Sequence, residues 1–197
     1  MKRRALSWFG VCLSMTVTNA YGGGASPEVD FQIAPYEVRG RTLAEVQASI
    51  AENAPSHSGD AFYAGLTTWE LRSTYDLATV EEGCRIDNGQ VHLTIRVHLP
   101  VLVSPRLSGP AAAEWGRFTK ALRIHEFLHA QNAHRAAKTL LGKLQGRYTD
   151  VPCSRAGDLV DRGTSTLIER IAQFDVELDA STRHGASDGA HLNTSIP

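Results

Sequence analysis

From Gly109-Pro110 onward the chain carries one long helical periodicity, and everything else in the sequence has to fit around it. Trp115, Phe118, Leu122, His125 and His129 recur at three- and four-residue spacing, which puts them on one helical face. Proline suits the first turn of such a helix, so the spacing predicts a helix from 109 to about 144. Two histidines on an otherwise apolar stripe, four residues apart, lie one above the other. Both imidazoles can therefore reach one metal ion.

The stretch reads His125-Glu126-Phe127-Leu128-His129, the H-E-x-x-H pattern. Neutral imidazole suits zinc, and three protein ligands would leave a fourth position for water. Zinc lowers the pKa of such water to about 7. Glu126 is rotated to the edge of the face, where it would take a proton from that water rather than bind the metal. The third ligand is open on spacing alone. His134 would be turned about 180° from His125 on a continuous helix. Glu169, Asp175 and Glu177 on a later helix could each offer a carboxylate. His184, in Thr182-Arg183-His184-Gly185, is the leading candidate, because Gly185 would let the chain turn back toward the first helix. Arg183, His191 and Tyr148 are candidates for stabilising negative charge during reaction.

The N-terminus reads as an export signal. Lys2-Arg3-Arg4 is basic, Ala5 to Val17 is apolar but too short to span a bilayer, and Thr18-Asn19-Ala20 offers a cleavage point. This predicts a periplasmic or secreted protein with no membrane span once residues 1–20 are removed. The chain holds 20 Lys and Arg against 21 Asp and Glu; without the three N-terminal cations the balance is 17 against 21, a net of −4. A mildly acidic body argues against nucleic acid as a partner. Of three cysteines, Cys12 leaves with the signal, and Cys84 and Cys153 remain as an expected disulfide in an oxidising compartment.

The rest of the chain predicts one α+β domain over 31–192, with a flexible lead-in over 21–30 and a polar tail over 193–197. Phe31 to Val38 suits a short strand. Thr42-Leu43-Ala44-Glu45 is a capping box opening a helix to about Asn53. Phe62 to Leu77 is β-rich, with Trp69, Leu71, Tyr75 and Leu77 on one parity. Asp87-Asn88-Gly89 is a hairpin-type turn signal. In Val91 to Leu99, Val91, Leu93, Ile95, Val97 and Leu99 face one way, while His92, Thr94, Arg96 and His98 face a polar side. This strand is expected at a sheet edge, where it could hold an extended substrate by strand addition. A second long helix is expected from about Asp158 to Ala180, striped by Leu167, Ile171, Phe174 and Leu178.

In this order — leader, β-rich half, Trp-x-x-Phe helix entering H-E-x-x-H, cysteine, closing helix — the chain resembles a bacterial domain-of-unknown-function family of predicted secreted zinc-dependent proteases. The resemblance runs from about Tyr36 to Leu192. The family's two cysteines match Cys84 and Cys153. Its closing Tyr-Asp-x-x-Thr-x-His-Gly motif matches at Asp179, Thr182, His184 and Gly185, and departs at Leu178. The resemblance implies a zincin-like fold, a mixed or antiparallel sheet packed on the active-site helix, with His184 as third ligand. It also implies a peptide or protein substrate. The alternative is a non-catalytic envelope protein that binds zinc for structure or partner recognition. A lesser one is an amidase acting on peptidoglycan stem peptides.

Overall fold

In the computed structural model, residues 25–58, 61–103 and 107–197 are described. The leader expected over 1–20 lies outside them. The order is β1 (Glu28–Val38), α1 (Leu43–Asn53), β2 (Ser56–Ser58), β3 (Ala61–Tyr63), β4 (Leu66–Val80), β5 (Gly83–Leu102), α2 (Gly109–Leu144), β6 (Arg147–Thr149) and α3 (Cys153–Thr182), followed by a 3-10 turn at Ala186–Asp188. This is a mixed α+β fold. Its main sheet runs β1-β5-β4, with β1 parallel and β4 antiparallel to β5, and β6 pairs with the start of β5.

β5 is the middle strand, not an edge. Two neighbours satisfy its backbone, and the expectation of a substrate-holding edge at 91–99 is corrected accordingly. Its alternation is as read: Val91, Leu93, Ile95, Val97 and Leu99 are buried. His92 on the other face lies 3.4 Å from Glu28. β1 begins three residues earlier than expected, so 28–30 belong to the sheet rather than to a lead-in.

The turn signal at 87–89 is also corrected. The β4–β5 hairpin turns at Glu81-Glu82, while Asn88 and Gly89 form an irregularity within β5 opposite Tyr75. Asn88 takes a positive φ of 51° and its amide donates to Asp76 at 2.7 Å, so the Asn-Gly chemistry bends a strand instead of reversing it. Gly89 has a second reason to lack a side chain: a Cβ there would come within 2.4 Å of the Leu144 carbonyl.

α2 spans its predicted range, capped by Ser108, whose hydroxyl accepts the Ala111 N–H. Its 36 residues, about 54 Å at 1.5 Å each, lie across β5 and β4 and bury Phe118, Leu122, Leu140, Leu141 and Leu144. α1 closes one end of this core with Val46 and Ile50, and the Thr42 hydroxyl accepts the Glu45 N–H as the capping box predicts. α3 starts five residues before its predicted position, directly after Pro152, and packs against α2 and β4. Cys84 and Cys153 are disulfide-bonded, tying the start of β5 to the start of α3.

The C-terminal segment is not a free polar tail. Leu192 is buried and Ile196 packs on the core. Arg117 donates to the carbonyls of Gly189 at 2.6 Å and His191 at 2.5 Å. Glu114, buried and paired with Arg117, accepts the Asn193 N–H at 2.8 Å. This polar clamp straps the last residues onto the first turns of α2. Sequence patterning cannot see it, because its partners are about 75 residues apart.

Candidate metal centre

The long face of α2 meets the last turns of α3 over the start of β4. The helices run antiparallel here, so two i, i+4 pairs oppose each other: His125 faces Asp179, and His129 faces Asp175. His125 Nε2 lies 3.0 Å from Asp179 Oδ1, His129 Nε2 lies 3.2 Å from the same oxygen, and the two Nε2 atoms are 3.4 Å apart. Tetrahedral zinc with bonds of about 2.0–2.1 Å would set its ligand atoms roughly 3.3–3.4 Å apart. The triangle is therefore close to one face of such a tetrahedron. His125, His129 and Asp179 form a group that could hold a metal ion.

The surroundings fit a cation. Asp175 Oδ1 accepts from His129 Nδ1 at 2.9 Å, which leaves the Nε2 lone pair facing the triangle. Trp69 Nε1 holds the other oxygen of Asp175 at 2.9 Å. Without a metal, burial pulls the His129 pKa down, but the bonds to Asp175 and Asp179 outweigh it and hold it at about 9. Burial likewise pushes the Asp179 carboxyl up, and the two histidines more than reverse that and hold it low. The group keeps a proton where a metal could substitute, and metal binding would release it. His125 is fixed differently. Its Nδ1 is buried without a hydrogen-bond partner among the described residues, and Gly185 packs on its ring, where a Cβ would come within 2.8 Å of Cγ.

Glu126 sits beside the triangle but outside it. Its Oε2 lies 2.8 Å from the Thr67 hydroxyl, which is also 3.0 Å from the Glu126 carbonyl. Gly65 lies against the carboxylate: a Cβ there would come within 2.4 Å of Oε1. Tyr36 donates to the Ala64 carbonyl at 2.7 Å and pins that segment in place. Burial raises the Glu126 pKa, opposed by the Thr67 bond and by the charges of His125 and His129. A cleft of about 410 Å³ opens over Glu126, His125, His129 and Asp179.

The sequence reading placed His184 as third ligand. The group that closes here contains Asp179, and His184 stands beside it. His184 Nδ1 lies 3.4 Å from Asp179 Oδ2, on the side away from the triangle, and its ring stacks on Tyr63 at 3.9 Å. The reason is the helix end. Asp179 lies in the last turn of α3, one turn from Asp175, whereas Arg183, His184 and Gly185 take successive positive φ values of 52°, 53° and 77°. The chain does turn back at Gly185, as read, but it carries His184 to the cleft wall. His134, Glu169 and Glu177 are exposed, away from the group. Asp175 bonds the Nδ1 side of His129, outside the triangle. Arg183 and His191 line the cleft. Tyr148 on β6 pairs with Arg85, twelve positions along β5 from Val97, the partner of Thr67. At strand rise that is roughly 40 Å.

The candidates read from the sequence do not include Asp179, although a signal was present. Asp175 and Asp179 repeat at the same four-residue interval as the two histidines, one and two turns beyond Ile171, which is buried. Thr67 and Gly65 carried no sequence signal.

The fold and the site together define an α+β chain with a candidate His/His/Asp metal centre on two antiparallel helices. Residues 33–185 match the family described as bacterial protein of unknown function (DUF922), and the chain belongs to that family. No curated protein and no solved structure matches it. Among the described residues no helix is long and apolar enough to cross a membrane.

Proposed function

We propose that this chain is an exported zinc metallopeptidase of zincin-like design, with His125, His129 and Asp179 as ligands and Glu126 as general base. The observation that carries the reading is the placement of Glu126. A closed structural site would use a fourth protein ligand. Here a buried carboxylate stands beside three ligands without joining them, and it faces an open cleft. Zinc, when bound, supplies Lewis acidity and makes water a nucleophile at neutral pH.

The chain's own residues do the rest. Thr67 holds Oε2 of Glu126, which leaves Oε1 to take a proton and later pass it to the leaving amine. Burial raises its basicity toward the working range. Gly65 and Tyr36 fix its position, and Asp175 fixes the His129 tautomer. With β5 internal, β4 from Leu66 is the outer strand next to Glu126, and an extended peptide or protein substrate would lie along it. The disulfide and the basic–apolar leader support a periplasmic or secreted location.

The test compares wild type with Glu126→Gln. Turnover of a peptide library should fall about 10²–10⁴-fold with zinc content unchanged. Equal cleavage by both proteins refutes the mechanism. Tight zinc binding with no cleavage by wild type favours a recognition role.

A further inference from the structure

We infer that the outer edge of β1 is a dimerisation surface, and that its occupant is β1 of a second copy of this chain, paired antiparallel about a two-fold axis at Phe31. Among the described residues β1 pairs with β5 alone, so the other side of its backbone is open. Which residues face that side is fixed by the strand itself. The Val38 carbonyl accepts the N–H of Val103, just past the end of β5, at 3.0 Å, and the β1–β5 register runs without a shift. Even-numbered residues of β1 therefore bond toward β5, and Val29, Phe31 and Ile33 direct their N–H and C=O groups outward. The side chains of these three are exposed. They share a face with Leu93, Ile95 and Val97, their partners on β5. On that face α2 reaches β1 through Phe127, whose ring meets Phe31 edge-on at 5.7 Å, and Ile124 one turn earlier is exposed as well. No lysine, bulge or proline interrupts 28–34, the devices that keep an open apolar edge from pairing.

The same window selects a second copy as the partner. Pro27 and Pro35, which lack an N–H, bound it at equal distances from Phe31. With the axis there, Phe31 pairs with Phe31 of the second copy and Val29 with Ile33 of the second copy, so every outward N–H between the prolines finds a carbonyl. On the opposite face Asp30 stands across from Gln32 of the second copy and Glu28 across from Ala34 of the second copy, so no carboxylate meets another. Sliding by two residues sets Asp30 against Asp30 of the second copy in one direction and Val29 against Pro35 of the second copy in the other. Pairing at β1 leaves the β4 edge beside Glu126 untouched at the far side of the sheet.

Sedimentation of the purified chain over micromolar concentrations should show a reversible monomer–dimer equilibrium. Phe31→Lys should weaken it at least about tenfold, with circular dichroism unchanged. Cross-linking by oxidation in a Cys12→Ser background reads the register. Directly opposed residues have Cα atoms about 5.5 Å apart, within disulfide reach, so Phe31→Cys should give a covalent dimer. Val29→Cys alone and Ile33→Cys alone would place their thiols about 13 Å apart and should stay uncross-linked, whereas a mixture of the two should cross-link. Should Phe31→Lys fail to fold, that mixture decides. A chain that is monomeric over the whole range overturns the proposal, whether its own N-terminal segment or solvent covers the edge. So does a dimer that Phe31→Lys leaves intact, and so does equal cross-linking of the three single cysteine variants.

Discussion

The two long helices that build the site are held in place by different forces. α2 buries fourteen of its 36 residues, among them Phe118, Leu122, Leu140 and Leu144, against the sheet. α3 is nearly as long, yet only Ala156 and Ile171 are buried, and Leu159, Phe174 and Val176 are exposed. What aligns α3 is largely polar and covalent. Cys153 bonds to Cys84, Asp161 accepts from Tyr75 at 2.9 Å, Asp175 accepts from Trp69, and Asp175 and Asp179 face the two histidines. One helix is therefore a fixed platform, and the other is a clamp whose grip depends on the charge held between them. A metal at the triangle would tighten the clamp and leave the platform unchanged.

The strongest way to break this comparison is to remove ligands from each side. His129→Ala on the platform and Asp179→Ala on the clamp should both abolish stoichiometric zinc, read by metal analysis. His184→Ala should weaken binding only about 10–100-fold, as expected for a group behind a ligand. Full loss in His184→Ala with retention in Asp179→Ala would restore the ligand set first expected from sequence.

Breaking the covalent tie comes next. Cys84→Ser with Cys153→Ser should destabilise the fold by about 2–4 kcal/mol. Hydrogen exchange should accelerate over the first turns of α3 while Phe118 to Leu141 stays protected. Equal loss of protection in both helices would show that they form one cooperative unit.

Trp69→Phe removes the donor to Asp175 and leaves a partly buried carboxylate oxygen unpaired. Destabilisation of about 1–2 kcal/mol is expected, with a modest fall in zinc affinity, measured by denaturation and metal titration.

The smallest effect concerns the strap. The Arg117 guanidinium and the Asn193 N–H hold Glu114 down at about 2, against an ordinary value of 4.5. A depressed carboxyl stabilises the folded state above its ordinary pKa and loses that contribution as pH falls toward its folded value. Protection of the amides over 189–197, relative to their intrinsic exchange at each pH, should therefore fall between pH 4.5 and 2, and Glu114→Gln should remove that pH dependence.

Period and punctuation made much of the architecture legible. The 3.6-residue stripe and Pro110 mark α2, and strict alternation over 91–99 marks a strand with one buried face. Asn88-Gly89 misled, because the same left-handed preference serves a turn or a bend within a strand. The tail over 193–197 misled too, since its core-packed residue, Ile196, sits among polar ones.

For the site, the sequence alone determined that two histidines and a glutamate share one helix, since a four-residue spacing carries its geometry locally. Which carboxylate faces them is a different kind of question. Asp175 and Asp179 lie 46 and 54 residues from their histidines. Their position opposite the histidines depends on how α3 crosses α2 and where its last turn unwinds. That alignment is set by a disulfide, by Trp69 and Tyr75 reaching across from β4, and by three successive left-handed residues. Such contacts join elements far apart in the chain and leave no periodic trace, so only the tertiary structure could decide them.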